Sequence, residues 1–280
     1  MNKLVKSPLR YPGGKSRAIK TIKPLVPSQF HDYREPFIGG GSVFLALKSD
    51  STGSNPTLFE PKRTWAINDL NPDVVSFWQA LRDDVERLCE QVSAYRERYQ
   101  QDGRALYHHL IDPAYPLDTV MNRAVRFFIM NRITFSGVMD AGGFSEQAFE
   151  SRFTASSIER LRLTAPILAN TTITEGDYEP LLFAPGESVF IFLDPPYYSA
   201  TDSKLYGKKG ALHTGFDHVR FADNMRRCPH HWLITYDDSP FIRELFAFAT
   251  IHAWELQYGM NNYKQGKAEK GRELFITNPT

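Results

Sequence analysis

The sequence is poor in cysteine: it has only Cys89 and Cys228, far apart and in ordinary contexts. That suggests reduced thiols in a cytosol-like compartment rather than a disulfide scaffold. Nowhere do 18 apolar residues follow one another, so no segment reads as a membrane-spanning helix. The opening MNKLVKSPLRYPGGK carries no apolar run of signal-peptide length, and a cytoplasmic location is expected. Charge of one dominant sign is also missing. The formal net charge is +1, with 33 Lys and Arg, so any polyanion site must come from local clustering. His108–His109 and His230–His231 lack metal-ligand spacing, and no metal is expected. A Walker A loop is absent as well. Gly-Gly-Lys-Ser at 13–16 needs a glycine five residues before Gly14, that position is Leu9, and no apolar strand precedes the loop.

The rest is ordinary for a globular chain: 280 residues, 42% hydrophobic and 23% charged. Residues 33–49, YREPFIGGGSVFLALKS, pass from a short extended run through three glycines into an apolar helical pattern, with Ser42 a candidate cap. A second strand, 64-TWAIND-69, ends in an acid. Residues 71–88 read as a helix opened by Asn71 with Pro72 at its first position, and 50–63 reads as a loop. Later strands are expected at 171–176, 188–194 and 231–237. The unbroken apolar VFIFL suits a strand covered on both faces, as in a parallel sheet. A helix at 217–227 makes the last two a βαβ unit, and 250–259 with 272–278 suits a closing antiparallel pair. Between 83 and 165 the pattern is helical and more charged, with runs near 83–101, 118–132 and 156–165. The chain therefore reads as an α/β domain in two pieces, 1–82 and 166–280, split by a helical insertion at 83–165. Trp65, Trp78, Trp232 and Trp254 sit in apolar patterns and are expected in the core.

The chemistry centres on 194-DPPY-197, directly after the strand VFIFL. Open α/β sheets bind ligands at the carboxyl ends of strands. The Asp194 carboxylate can accept one N–H of an exocyclic amine, and the Pro195 carbonyl can accept the other. Prolines fix such a turn and offer no N–H. Tyr197 supplies an aromatic face for stacking. Two acceptors on one amino group draw its lone pair out of ring conjugation, which makes it a nucleophile. A purely structural turn remains the other reading of an Asp-Pro-Pro stretch. The second motif, 35-EPFIGGGSVF-44, lets backbone amides approach a ligand. A nicotinamide fingerprint counted from Gly39 would need glycine at Phe44, so the fit to a dinucleotide site is partial. Glu35, the glycines and Asp69, an acid in the place that commonly binds ribose hydroxyls, together describe a nucleoside pocket.

RYPGGKS, EPFIGGGSVF, INDLNPD, GDY and DPPY, in this order, resemble the Dam-type adenine-N6 site-specific DNA methyltransferases (the D12 class), in which the recognition region precedes DPPY. The likeness runs over nearly the whole chain. It implies a Rossmann-like sheet of seven strands, S-adenosyl-L-methionine as cofactor, double-stranded DNA as partner and a cognate restriction nuclease as a candidate partner. It also implies a target adenine flipped into the DPPY pocket and direct in-line methyl transfer to N6 without a covalent enzyme intermediate. By the same resemblance Tyr11 and Lys15 reach the cofactor, with Lys15 meeting a carboxylate or an active-site anion. Glu35, Phe37, Gly39 and Gly41 line the cofactor's methionine and adenosine parts, Asp69 holds the ribose, and Asp177 and Tyr178 flank the adenine. Asp194, Pro195, Pro196 and Tyr197 hold the target base, Asp194 also facing the cofactor. Neither cysteine follows a proline in a loop suited to a cytosine-C5 thiolate nucleophile.

Residues 131–147, NRITFSGVMDAGGFSEQ, resemble the family's base-reading hairpin, with Asn131, Arg132, Phe135 and Gly137 matching. Enzymes that read GATC have an arginine where this chain has Asp140. Arginine reads guanine, whereas aspartate accepts from cytosine N4, so a recognition sequence other than GATC is expected unless Asp140 only turns the loop beside Gly142 and Gly143. Arg123 and Arg126 on a basic helical face, and Arg152, Lys204, Lys208 and Lys209, are candidate phosphate contacts. The long loop 198–216 is expected to order over the flipped base. Two rivals remain open: a cytosine-N4 DNA methyltransferase, whose enzymes more often begin the tetrapeptide with Ser, and an inactive DNA-binding regulator of the same fold.

Overall fold

The computed structural model describes residues 6–11, 13–53, 63–135, 143–198, 215–256 and 271–279. Its frame is one sheet of seven strands: β1 (Asp32–Glu35), β2 (Thr64–Asp69), β3 (Thr171–Glu175), β4 (Val189–Leu193), β5 (His231–Asp237), β6 (Thr250–Leu256) and β7 (Gly271–Thr277). The spatial order is β3-β2-β1-β4-β5-β7-β6. β1 to β5 run parallel, and β7 inserts antiparallel between β5 and β6. This is a Rossmann-like methyltransferase sheet, and the closing antiparallel pair falls where the sequence placed it. All five residues of β4 are buried, as the VFIFL run requires of a central parallel strand. The chain leaves β1 to one side for β2 and β3, then crosses back to lay β4 on β1's other flank. The β1–β4 seam is thus a topological switch point, where open α/β sheets leave a crevice at the strands' carboxyl ends.

Among the described residues the helices are α1 (Ile19–Ile22), α2 (Ser42–Gly53), α3 (Pro72–Asp83), α4 (Val85–Arg98), α5 (Gly103–Ile111), α6 (Val120–Ile133), α7 (Glu146–Arg152), α8 (Ala155–Thr164), α9 (Glu179–Phe183), α10 (His218–Arg227) and α11 (Pro240–Leu245). Local chemistry sets their starts. Asn71 caps α3 by accepting the Asp73 N–H, with Pro72 following, and Asp217 caps α10 by accepting the Arg220 N–H.

Four expectations are corrected. Ser42 is the first residue of α2, and Gly41 supplies the carbonyl that takes the Leu45 N–H. Helix α2 runs on to Gly53, into the stretch read as loop. The helix expected over 71–88 breaks at Asp84, whose non-helical backbone ends α3 and whose side chain caps α4 by accepting the Arg87 N–H. Helices α5 and α7 lie in stretches for which no helix was expected.

One apolar cluster joins the α2–α3 face of the sheet to the helical segment. Phe44, Trp65, Phe77, Trp78, Phe127 and Phe128 all belong to it, and the rings of Phe77 and Phe128 stack at 6.0 Å and 5°. Trp65, Trp78 and Trp232 are buried and Trp254 packs partly buried on the core, as expected. A second cluster on the other face holds Tyr178, Phe221, Trp232 and Tyr236. No helix among the described residues is long and apolar enough to cross a membrane.

Candidate active site

Asp194 follows the last residue of β4 at the switch point. Lys15 places its ammonium 2.8 Å from Oδ1 and 2.9 Å from Oδ2 of that carboxylate and donates to the Gly13 carbonyl at 2.7 Å. Lys15 is only 4% exposed, so three oxygens satisfy a cation that burial would otherwise penalise. Its Nζ also lies 4.8 Å from the centre of the Tyr197 ring. The Thr235 hydroxyl donates to Asp194 Oδ1 at 2.6 Å. Register explains this contact: Leu193 pairs with Ile234, which sets the next residues side by side. Pro195 is buried, Pro196 and Tyr197 are half-buried, and the Tyr198 N–H donates to Asp237 at 2.8 Å. Thr235 and Asp237 were not singled out from the sequence, because cross-strand register alone brings them to the tetrapeptide.

Glu35 closes β1 beside this centre. Removal from water pushes its carboxyl up to about 8; the Tyr33 hydroxyl donates to it and opposes the shift, and the charge of Asp194 adds to it. Asp69 closes β2, and burial pushes it up to about 6 against the N–H groups of Asn71 and Gly39. Its oxygens accept from Gly39 N and Asn71 N, both at 2.9 Å, so this acid also fastens the glycine turn to the sheet. Gly39 and Gly41 have φ of +40° and +63°. A Cβ at Gly39 would stand 2.7 Å from the Tyr11 ring, and one at Gly41 would stand 2.7 Å from Trp78. Tyr11 therefore lies flat on the turn, and Trp78 supports it by donating to the Gly39 carbonyl at 3.0 Å.

Asp177 follows β3 and pairs with Arg220 of α10 at 2.9 Å. The Arg220 guanidinium lies 5.4 Å from the centre of the Tyr178 ring. Phe37 packs on Tyr178 at 5.3 Å, with Phe216 and Phe221 behind. Three carboxylates, Glu35, Asp69 and Asp177, thus stand at the ends of three neighbouring strands beside an aromatic wall. Such a set suits a ligand carrying sugar hydroxyls and a flat ring. Leu70, 57% exposed beside Asp69, is a further apolar surface at this edge that was not singled out from the sequence.

The candidate DNA-facing residues divide. Arg123 and Arg126 both pair with Asp73, at 3.1 and 3.5 Å, and Arg126 Nε donates to the Leu110 carbonyl, which ties α3, α5 and α6 together. Asn131 is buried and bonded to the main chain of Arg10. Arg132 is 4% exposed; its Nε and Nη2 have no hydrogen-bond acceptor among the described residues, nor does the buried Nη1 of Arg10. Burial, then the charges of Arg160, Arg10 and Arg152, lower Arg132 to about 9. Phe135 stands 68% exposed on the stem of the segment 131–147. That stem is closed by Ser145 N to Ile133 O at 2.9 Å and Phe135 N to Gly143 O at 3.1 Å. Gly137, Asp140, Lys204, Lys208, Lys209 and most of the loop 198–216 lie outside the described residues. Among the described residues no cluster of His, Cys, Asp and Glu is arranged for a metal.

The site is an acidic, proline-fixed corner at the switch point of a Rossmann-like methyltransferase sheet. The model of the D12 class N6 adenine-specific DNA methyltransferases matches residues 11–260. A Type II methyltransferase of Lactococcus lactis subsp. cremoris, M1.LlaDCHI, is 25% identical over 96% of this chain and 94% of its own. M.CviBI of Paramecium bursaria Chlorella virus NC1A is 24% identical over 96% of both. The DNA adenine methylase of Vibrio cholerae is 26% identical over 97% of this chain and 95% of its own. The chain belongs to the D12 class: it is an adenine-specific DNA methyltransferase.

Proposed function

We propose that the enzyme methylates N6 of an adenine extruded from double-stranded DNA, with Asp194, Pro195, Pro196 and Tyr197 holding the base. The observation that carries this reading is the Asp194 carboxylate, fixed between Lys15 and Thr235 at the switch point with Tyr197 beside it. Each carboxylate oxygen has two lone pairs, so Oδ2 keeps one for an N6–H while Lys15 stays in place. The Pro195 carbonyl takes the other N–H. With both hydrogens held, the nitrogen lone pair turns out of the purine ring and becomes available to form the new N–C bond; the surplus N6 proton then passes to solvent.

S-adenosyl-L-methionine would supply the sulfonium methyl group. The residues present fit it: Glu35 as a hydrogen-bonding group beside its methionine part, Asp69 for the ribose, and Asp177 with Phe37 and Tyr178 for the adenine. Gly39 and Gly41 allow the turn, Tyr11 covers it, and Tyr11 and Lys15 would reach the cofactor from that side. On the DNA side, 83–165 is the proposed recognition segment between catalytic segments 1–82 and 166–280. Arg132, with Arg10, Arg152 and Arg160 around it, is offered a phosphate; Arg123 and Arg126 would meet one only by sharing Asp73. Asn131 supports the recognition segment from beneath, Phe135 and Asp140 face bases, and Lys208 and Lys209 meet the backbone. Asp140 makes a site other than GATC the expectation, and methylation mapping of DNA from expressing cells checks it. The Type II names of several relatives support a cognate nuclease as a partner, and DNA as substrate supports action in the cytoplasm.

Tritiated-methyl transfer to duplex DNA, followed by digestion to nucleosides, tests the reading. Label should appear in N6-methyl-2′-deoxyadenosine, and Asp194→Ala should reduce the rate by about 10²–10³-fold, as for loss of one preorganised partner of a reacting group. Label in N4-methyl-2′-deoxycytidine, or an unaffected Asp194→Ala variant, would overturn it.

A further inference from the structure

Residues 7–11 and 13–15 touch three parts of the molecule at once. On the donor side, Tyr11 covers Gly39 and Gly40, and Ser7 Oγ donates to the Gly40 carbonyl at 2.5 Å. On the base side, Lys15 holds Asp194. On the recognition side, Asn131 grips Arg10 at both main-chain groups. The Arg10 N–H donates to Oδ1 at 3.0 Å, and Nδ2 donates to the Arg10 carbonyl at 2.7 Å. These are the two bonds that a paired strand would give, made instead by one amide side chain that is 1% exposed. Gly14 N–H closes back on the Tyr11 carbonyl at 3.0 Å, so little slack separates Arg10 from Lys15. Asn131 itself lies in the last turn of α6, immediately before the paired stem Thr134–Phe144.

We infer that Asn131 is a positioning residue for methyl transfer. It transmits the seating of the recognition stem, through Arg10, to Lys15 and so to the carboxylate in the base pocket. This rests on the reading that Asp194 holds the target amine. Stem and pocket are far apart in sequence, and among the described residues the bracket on Arg10 is a direct hydrogen-bonded link from one toward the other. When DNA moves the stem, α6 moves Arg10, and Lys15 follows. The Asp194 carboxylate, already held by Lys15 in this structure, then keeps its alignment only while the bracket on Arg10 stays seated.

A mutant cycle separates this role from a purely structural one. Single-turnover methyl transfer would be measured with saturating S-adenosylmethionine and a duplex carrying the sequence mapped in expressing cells. The variants are Asp194→Ala, Lys15→Met, Asn131→Ala and the Lys15→Met/Asn131→Ala pair. Asn131→Ala should slow transfer by about 10²-fold, the loss that a misplacement of about 1 Å causes, with donor and duplex dissociation constants unchanged. The pair should be no slower than Lys15→Met alone, because both changes break one path. Should Asn131→Ala fail to fold, Asn131→Asp, which keeps the acceptor for the Arg10 N–H, runs the same cycle. Additive losses, or a wild-type rate for the Asn131 variant, would overturn the coupling while leaving the base pocket intact. A wild-type rate for Asp194→Ala would instead overturn the pocket itself.

Discussion

Glu35 holds a proton at a pH where an exposed glutamate has lost it. Its ordinary value of 4.5 applies in the unfolded chain, and about 8 applies in the fold. The folded state therefore binds more protons across that interval, and stability falls as pH rises from about 4.5 to about 8. Asp69, raised to about 6, acts in the same direction over a narrower range. The midpoint of thermal unfolding should decline between pH 5 and pH 8, and Glu35→Gln should flatten most of that decline. An unchanged slope in the variant would mean that Glu35 is not the group responsible. Arg132 presents the opposite case: a buried cation with other arginines about it and donors that find no acceptor among the described residues. If a DNA phosphate completes it, Arg132→Ala should lower the slope of log affinity against log salt by about one counterion. Titrating duplex binding between low and moderate salt measures this; an unaltered slope removes Arg132 from the interface.

Among the elements, the turn between β1 and α2 depends most on residue identity. Gly41 sits at φ +63° with Trp78 where a Cβ would go. Left-handed backbone costs an L-residue about 1–2 kcal/mol, and the contact adds to that. Gly41→Ala should lower the unfolding midpoint and weaken donor binding together, measured by calorimetry on the same preparation; loss of neither would show that the turn adapts. The glycine turn, the capped start of α3 at Asn71 and the buried run of β4 were legible because each is written in adjacent residues. Helix α5 was not, because Asp102-Gly103 reads as a turn. Gly103 is required there by the Phe149 ring, 2.6 Å from where its Cβ would lie, a contact made across 46 positions and invisible along the chain. The break at Asp84 was hidden in the same way, since the apolar positions continue the period of α3 into α4. In the site, Asp194 and Tyr197 could be read from one tetrapeptide. Thr235 and Arg220 could not, for register and helix placement bring them in.

At the scale of the molecule, the helical segment and the sheet are not stacked as separate bodies. Phe77 and Trp78 of α3 share a core with Phe127 and Phe128 of α6. Truncation of Phe128 to Ala should cost about 3–5 kcal/mol. Because the core is common, tryptophan fluorescence and far-ultraviolet circular dichroism should report one coincident transition in wild type and variant alike. Two separated transitions would show that the segments melt independently.

The pairing of β1 with β4 has a bearing on synthesis. Asp32 pairs with Thr64 on one flank, but its partner on the other, Val189, is made much later, and loops that long close late. Until then β1 presents an unpaired flank, the kind of edge that invites pairing with another chain. Newborn copies of this enzyme are thus exposed to mispairing until the final third of the chain emerges from the ribosome, and only then does the crevice exist.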